Sequence, residues 1–561
     1  MKILRVDMSV LETRFEDLPE ELTALGGRGL SARILSKEVP PTTDPLGPEA
    51  KLVIAGGPFA GTMAPSCGRI SVGGKSPLTM GIKEANAGGP TAQKLDKLGI
   101  RAIVIEGAPR DDKLYLLVIN KDGVTLQDGS AYKGMKTYAL VEEMKPYGEN
   151  GAVICIGPAG ERKSKAASVA FTDKDGHPAR HAGRGGMGAV MGAKGLKAIV
   201  VDDQGAPAVS MADKEAYREI LGNWTKLVKE DKQLQGFSTY GTPAGIVALR
   251  GLGSMPSKNY SSEETPGFEN VGGEALAKLG QERGGRMDGC MPGCIVKCSI
   301  IFHDADGKHV TSAFEYETIA LLGTNLGISD PDEVARMDRF CDEMGLDTIE
   351  LGSAMGVAAS AGKMEMENVA SAWALLDEVE KGTEFGTVLA NGVVATSKAL
   401  GVSRVPAFKG QAIPAHDGRV CKPCGVTYAT SPMGADHTAG LSYEDPMNKE
   451  GQVDRSFNMQ VVMGMVDSLG YCLLAAPSDH AAASAFFKDL LKARYGLEVT
   501  AEELMEIGRQ TLRDEIKFNE GAEFSTLHGP DPEFVRNEPL APTGSVFDVD
   551  AGEVASIWER L

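Results

Sequence analysis

Through the first two hundred residues, short apolar runs alternate with glycine-rich turns. The runs are Lys51-Leu52-Val53-Ile54-Ala55, Arg69-Ile70-Ser71-Val72, Arg101-Ala102-Ile103-Val104-Ile105, Leu114-Tyr115-Leu116-Leu117-Val118-Ile119, Ala152-Val153-Ile154-Cys155-Ile156 and Ala198-Ile199-Val200-Val201. Their shortness and β-branched content predict strands rather than helices. Near Ser210 the texture changes. Ser210 with Asp213 forms a capping-box pattern, and the residues after it have helical spacing. Ser329-Asp330-Pro331-Asp332-Glu333 offers an N-cap and an early proline for a helix that should stop near Gly345. A second helix is expected from about Asp454 to Leu469, stopping at Gly470. Ala475 to Ala485 should lead into another through Phe486-Phe487-Lys488-Asp489-Leu490-Leu491, and Thr500 with Glu503 should open one more. The last thirty residues, rich in Pro, Gly and Asp, read as an extended surface tail. These patterns predict an α+β protein in three parts: a β-rich domain over 1–207, a helical domain over 208–410 and a second helical domain over 411–561.

At 561 residues the chain exceeds the size at which one core usually stops growing. With 77 acidic against 58 basic residues, the net charge of −19 argues against a nucleic-acid partner. No window has the length and apolarity of a membrane span, and Met1-Lys2-Ile3-Leu4-Arg5-Val6-Asp7 runs into charge before a signal-peptide core forms, so a cytoplasmic protein is expected. The 69 glycines are well above the usual share of about 7%.

Five of the nine cysteines crowd into two short segments, which points to metal ligation or redox work rather than a disulfide framework. Cys290-Met291-Pro292-Gly293-Cys294-Ile295-Val296-Lys297-Cys298 spaces three thiols four residues apart, with Pro and Gly preventing a straight helix between the first two. A turn of this kind directs thiolates toward one iron–sulfur cube; tetrahedral zinc is the chemical rival. Three ligands leave one iron open or call for a distant thiol, and the best candidate is Cys472. Cys421-Lys422-Pro423-Cys424 competes, and is compatible with a redox dithiol, a zinc half-site or two unrelated thiols.

Asp342-Glu343-Met344-Gly345-Leu346-Asp347 and Asp467-Ser468-Leu469-Gly470-Tyr471-Cys472 repeat one arrangement at two expected helix ends. A carboxylate there faces the unfavourable end of the helix dipole, which invites a bound donor. Arg180-His181-Ala182-Gly183-Arg184-Gly185-Gly186-Met187-Gly188 combines free backbone N–H groups with guanidinium donors. That suits an anion or a set of tight turns, but lacks the lysine and hydroxyl of a P-loop and the context of a dinucleotide fingerprint.

Taken in order, several segments resemble the tungsten-containing aldehyde:ferredoxin oxidoreductase family: Gly26-Gly27-Arg28-Gly29-Leu30, Cys67-Gly68-Arg69, Lys75-Ser76-Pro77-Leu78-Thr79, Ala85-Asn86-Ala87-Gly88-Gly89, Gly183-Arg184-Gly185-Gly186, Met191-Gly192-Ala193-Lys194-Gly195-Leu196-Lys197-Ala198, Glu315-Tyr316-Glu317-Thr318 and the two Asp motifs. The resemblance implies a β-rich base for two pterins whose dithiolenes hold one tungsten, or molybdenum, with helical domains covering them. It assigns Asp342 and Asp347 to one pterin, Asp467 to the other, and Arg69 to the space between a pterin and a [4Fe-4S] cluster on Cys290, Cys294, Cys298 and Cys472. Asn86 and Arg184 would organise the pterin phosphates and a bridging Mg2+. The cysteine spacing departs from the commonest family pattern, which has two residues and then three between thiols; this chain has three and three.

The same resemblance picks out Glu315 for proton handling and His437, in Gly434-Ala435-Asp436-His437-Thr438, for hydrogen bonding to an aldehyde oxygen or proton shuttling. The implied reaction is oxidation of an aldehyde to a carboxylate under anaerobic conditions. Electrons would pass to ferredoxin or an iron–sulfur partner subunit, in a homodimer or a larger redox complex. Reduction of an acid or an activated aromatic substrate on the same cofactor is the enzymatic alternative. A non-catalytic iron–sulfur electron-transfer subunit is the alternative of another class.

Overall fold

The computed structural model describes residues 1–476, 480–524 and 531–561. The apolar runs form the strands expected of them, and these assemble into two six-stranded sheets. The first contains β1 (Lys2–Asp7), β2 (Glu12–Asp17), β3 (Leu52–Gly56), β4 (Ile70–Lys75), β5 (Ile82–Ala87) and β6 (Ile100–Glu106). The second contains β7 (Tyr115–Asn120), β8 (Gly123–Asp128), β9 (Ala152–Cys155), β10 (Val169–Phe171), β11 (Arg180–Ala182) and β12 (Leu196–Val201). Strand order is β2-β1-β6-β3-β4-β5 in one and β8-β7-β12-β9-β10-β11 in the other, so the second sheet repeats the first strand for strand. Only β1 with β6 and β7 with β12 run parallel, and both pairs carry a register irregularity at the start. The base is an internal duplication, which the sequence reading did not anticipate.

The sheets pack face to face. Leu4, Val6, Leu52, Ile54, Ile103 and Ile105 of the first share one core with Leu117, Ile119, Ile154, Ile199 and Val201 of the second. Strands buried on both faces are continuous apolar runs for this reason. Each outer face is closed by a helix: Gly27–Glu38 through Leu30, Ile34 and Leu35 on the first sheet, and Thr137–Met144 through Leu140, Val141 and Met144 on the second.

Most of the rest is helical. Asp330 caps Pro331–Met344 by accepting from the amides of Asp332 and Glu333, and the helix ends at Gly345, whose φ is +72°. Gln452–Ser468 begins two residues before the expected Asp454, and Gly470 follows it at φ +66°. It crosses Ala501–Gly521, which opens on the expected Thr500–Glu503 capping box. A Cβ on Gly508 would lie 2.0 Å from the Val461 carbonyl oxygen, so the two backbones meet where no side chain fits.

Three expectations need correction. Asp213 alone caps Lys214–Glu230, accepting from Glu215 and Ala216, and Ser210 takes no part. The alanine-rich stretch is not one helix from Ala475: Leu473–Ala475 is a 3-10 turn, 477–479 lie outside the described residues, and the α-helix runs His480–Tyr495. The C-terminal segment is not an extended tail, because Phe534, Val535, Phe547, Val549 and Ile557 are buried in the helical core; its Pro, Gly and Asp residues make the turns between these anchors. Among the described residues no helix is long and apolar enough to cross a membrane.

Candidate cofactor and active site

The duplicated sheets present two matching seats to the two Asp motifs. Gly57, just beyond β3, lies under the end of Gln452–Ser468, and a Cβ there would be 2.2 Å from the Leu469 carbonyl oxygen. Gly157, just beyond β9, lies under the end of Pro331–Met344, with the Met344 oxygen at 2.3 Å. In the first seat Asn86 on β5 donates to Asp467 Oδ1 at 3.4 Å; in the second, His181 at the same place on β11 meets Asp342 Oδ1 at 3.1 Å. Each of these is braced by the residue preceding the neighbouring strand. Arg69 donates to the Asn86 side chain and backbone oxygen, and Ser168 Oγ lies 2.7 Å from His181 Nδ1. The sequence reading missed His181, whose signal was its place before Ala182, matching that of Asn86 before Ala87.

Both seats hold buried polar groups that the protein satisfies only in part. Arg28 forks onto Glu515 with two bonds of 2.8 Å but reaches Asp467 only at 3.5 Å. Burial, together with neighbouring Glu84, pushes the Asp467 carboxyl up to about 8 despite Arg28 and Arg69. In the other seat Arg184 donates to the carbonyls of Ala435 and Ala412, with Asp347 at 3.5 Å and Glu350 at 3.9 Å. Asp347 spends one oxygen on the amide of Ile349, and Asp342 Oδ2 and Glu84 Oε1 are buried without a hydrogen-bond partner. Buried groups left in this state are costly unless a polar ligand completes them, so the residues fit pterin rings and phosphates. Gly185, at φ +80°, lets the chain pass over Lys83, whose Cγ would be 2.4 Å from a Cβ. Lys83 in turn holds Asp436, next to His437, well below the usual carboxylate range against the effect of burial.

Cys290, Cys294, Cys298 and Cys472 are all free, and each of the six pairings among them is close enough to interact electrostatically. Gly293 at φ +79° and Lys297 at φ +56° turn the loop between the first three. The fourth is tied in by its own amide, which donates to Ser66, while Ser66 donates to Gly293. A Cβ on Gly88 would come within 2.9 Å of Cys290 Sγ. Arg69, bonded to Asn86 in the first seat, is also near enough to Cys472 and Cys290 for their charges to raise it against the effect of burial. Four reduced thiols around one space match the donor set of a cubane cluster. Cys421 and Cys424 are instead buried and joined as a disulfide.

Glu315 and His437, the two residues expected to serve the substrate, have different neighbours, and it is Glu317 that lies beside His437. Glu315 is the extended residue that precedes the Tyr316–Thr318 turn; it accepts from Thr242 Oγ1 at 2.6 Å and lies 3.7 Å from Arg180. Glu317, two residues on, faces inward. Its Oε2 accepts from the Ala415 amide at 2.8 Å, while Oε1 lies 3.3 Å from His416 Nε2 and 3.5 Å from His437 Nδ1. Burial would raise this carboxyl, but His437, His416 and the amide hold it down at about 2. Burial lowers His437 from its ordinary value against the attraction of Glu317, so the neutral imidazole is favoured near neutral pH. Glu317 was legible as part of a motif; His416 sits in no motif.

Comparison with known proteins agrees with this architecture. The family described as aldehyde ferredoxin oxidoreductase, N-terminal domain, matches residues 3–203, and that described as aldehyde ferredoxin oxidoreductase, domains 2 and 3, matches 219–548. The tungsten-containing aldehyde ferredoxin oxidoreductase of Pyrococcus furiosus is 32% identical over 551 residues, covering 92% of this chain and 88% of that protein. That of Pyrococcus abyssi is 31% identical, covering 100% and 94%. A chain of the active-site complex BamBC of benzoyl coenzyme A reductase shares the fold, with a TM-score of 0.82 at 20% identity over 100% of this chain and 93% of that one.

Proposed function

The chain belongs to the aldehyde ferredoxin oxidoreductase family of oxidoreductases, whose tungsten-containing members imply a tungsten–pterin cofactor, and on that premise we propose that it oxidises an aldehyde to a carboxylate. Cys290, Cys294, Cys298 and Cys472 would hold a [4Fe-4S] cluster, which would supply one-electron transfer toward ferredoxin or an iron–sulfur partner subunit. The observation that supports this reading is the alignment of the first seat, Arg69 and the four thiols: a cluster held by those thiols would lie beside a pterin held in that seat.

The tungsten–pterin group, when bound, supplies two-electron redox chemistry. Asp467, Asn86 and Arg69 would hold one pterin and Asp342, His181, Asp347 and Arg184 the other, with Asn86 and Arg184 also available to the pterin phosphates and a Mg2+ ion. Oxidation of an aldehyde and one water to a carboxylate releases two electrons and three protons, so the residues must bind carbonyl and water and move protons. Neutral His437 presents Nδ1 to Glu317, which leaves Nε2 as the base for the water proton. Glu317 stabilises the imidazolium that results.

The test is metal analysis of anaerobically purified protein joined to viologen-linked aldehyde oxidation. About one tungsten and four irons per chain with aldehyde turnover is expected. Iron without tungsten or molybdenum sinks the enzymatic reading.

A further inference from the structure

Glu317, His416 and His437 bring one carboxylate and two imidazoles to a common point, and two of the three facing atoms are left without a partner. We propose that these residues form a site for one divalent cation of the zinc class, and that its binding stops the reaction. The binding rests on the geometry; the inhibition rests on the aldehyde reading above.

One ligand atom from each residue lies within 4.8 Å of the other two. Glu317 Oε1 is 3.3 Å from His416 Nε2 and 3.5 Å from His437 Nδ1. Ligands held at about 2.0–2.2 Å around a tetrahedral Zn2+ stand about 3.3–3.6 Å apart, so both separations already suit a shared ion. They do not serve as hydrogen bonds: Glu317 Oε1 and His437 Nδ1 are buried, and neither has a hydrogen-bond partner. Buried polar atoms left in this way are costly, and a cation at their common point satisfies both at once. Two imidazole nitrogens and one carboxylate oxygen suit Zn2+ better than Mg2+, which takes oxygen ligands. Among the described residues no fourth imidazole, thiol or carboxylate joins the group, and Asp436, next to His437 in the chain, is already paired with Lys83. The fourth position is left for water.

The atoms behind the three ligands are held as metal-binding groups require. His416 Nδ1 lies 2.7 Å from the Tyr443 hydroxyl, itself 2.6 Å from Ser254 Oγ. A proton on Nδ1 directed at that hydroxyl leaves the Nε2 lone pair for the cation. Glu317 Oε2 accepts from the Ala415 amide at 2.8 Å, which fixes the carboxylate with Oε1 forward. The loop that carries His416 is fixed in turn by the hydroxyls of three buried tyrosines: Tyr260 donates to the Ile413 carbonyl, Tyr316 to that of Ala415 at 2.6 Å and Tyr428 to that of His416 at 3.0 Å. Little side-chain freedom is left to lose when an ion binds. A cation on His437 Nδ1 forces the single proton of the neutral ring onto Nε2, which then has no lone pair for the water proton. The same ion occupies Glu317, so the residues serve either the proton transfer or the cation.

The test titrates the anaerobic holoenzyme with ZnCl2 and reads zinc bound per chain, the zinc K-edge X-ray absorption spectrum and viologen-linked aldehyde oxidation. His416→Gln and Tyr443→Phe are treated alike after their tungsten and iron contents are checked, and each inhibition is read against the same variant's metal-free rate. One zinc per chain is expected, in a shell of nitrogen and oxygen alone at about 2.0–2.1 Å. Turnover should fall as zinc enters and return when a chelator removes it, while Mg2+ at equal concentration has no effect. His416→Gln loses a ligand and should weaken zinc binding roughly 100-fold or more; Tyr443→Phe loses only the partner behind a ligand and should weaken it roughly 10-fold. Sulfur at about 2.3 Å in the zinc shell overturns the proposal, since it places the ion on the cysteines. Wild-type protein that takes up no zinc overturns it too, as does unchanged zinc affinity in His416→Gln. Should that variant fail to take up tungsten, unchanged affinity in Tyr443→Phe has the same force. Zinc held in the expected shell at full turnover overturns the inhibition. If the wild type oxidises no aldehyde, the functional reading fails separately, and zinc content with the absorption spectrum still decides the site.

Discussion

The two glycine seats allow a test of whether the duplicated base holds its Asp motifs by backbone contact. Gly57→Ala places a Cβ 2.2 Å from the Leu469 oxygen, 2.6 Å from its carbonyl carbon and 2.7 Å from Gly470 Cα; Gly157→Ala meets Met344 and Gly345 at 2.3, 2.4 and 2.8 Å. Neither glycine has a positive φ, so alanine suits the backbone and the cost is clash alone. Carbon–oxygen contacts settle at about 3.3 Å, so each helix end must part from its sheet by about 1 Å. Overpacking costs roughly 1–3 kcal/mol, and a carbonyl anchored in a helix terminus cannot rotate away as a side chain would, which places both variants near 3 kcal/mol. Calorimetry at one fixed scan rate should show Tm falling by roughly 2–3 °C in each variant, by similar amounts, because the unfolding entropy of a chain this long is large. Tungsten content should fall with it, because the displaced segments carry Asp467 and Asp342. Variants that keep Tm within about 0.5 °C and full tungsten would refute the reasoning, since a loss of that size lies within the ordinary effect of a neutral surface change.

Cys472→Ser should lose most of the cluster iron while retaining secondary structure, read by iron analysis and circular dichroism; full iron content would remove Cys472 from the ligand set. Glu317→Gln should lower aldehyde turnover roughly 100-fold at full metal content, and Glu315→Gln far less; the reverse order would return the catalytic assignment to Glu315. Glu350 supplies a pH test: burial first, then Asp347, pushes its carboxyl up to about 7 from 4.5. The folded state therefore holds a proton that the unfolded chain releases, and stability of the cofactor-free protein should decline by about 3 kcal/mol as pH rises from about 4.5 to 7. Glu350→Gln should flatten that decline in denaturant titrations at successive pH values, and an unchanged slope would show that other groups cause it.

The strands and most helix boundaries were readable because they depend on local chemistry: β-branched runs, the Asp330 cap, the Thr500–Glu503 box and the glycine stops at Gly345 and Gly470. What was unreadable depends on contacts distant in sequence. The duplication left little trace beyond the repeated Asp motifs, because the halves share strand order more than residues: Asn86 answers to His181, and Arg69 to Ser168. Glu315 and Glu317 are indistinguishable in a motif, yet the turn that starts at Tyr316 sends one toward Arg180 and the other toward His437. His416 gains its place from tyrosines at 260, 316 and 428, none of them near it in the chain. The C-terminal segment looked like a tail because its turn residues are local, while the pockets that receive Phe534 and Phe547 are not.

The two helix-end motifs share an Asp and the Gly three residues after it and then diverge: five residues after Asp342 stands Asp347, a helix cap, and five residues after Asp467 stands Cys472. A cradle copied from one ancestral half would treat its two occupants alike. The single exchange of a carboxylate for a thiol breaks that equivalence, and under the proposed ligand set it gives the chamber a polarity. One pterin has a terminal at its back and the other ends in insulation, so a charge entering at the substrate has one direction in which to travel.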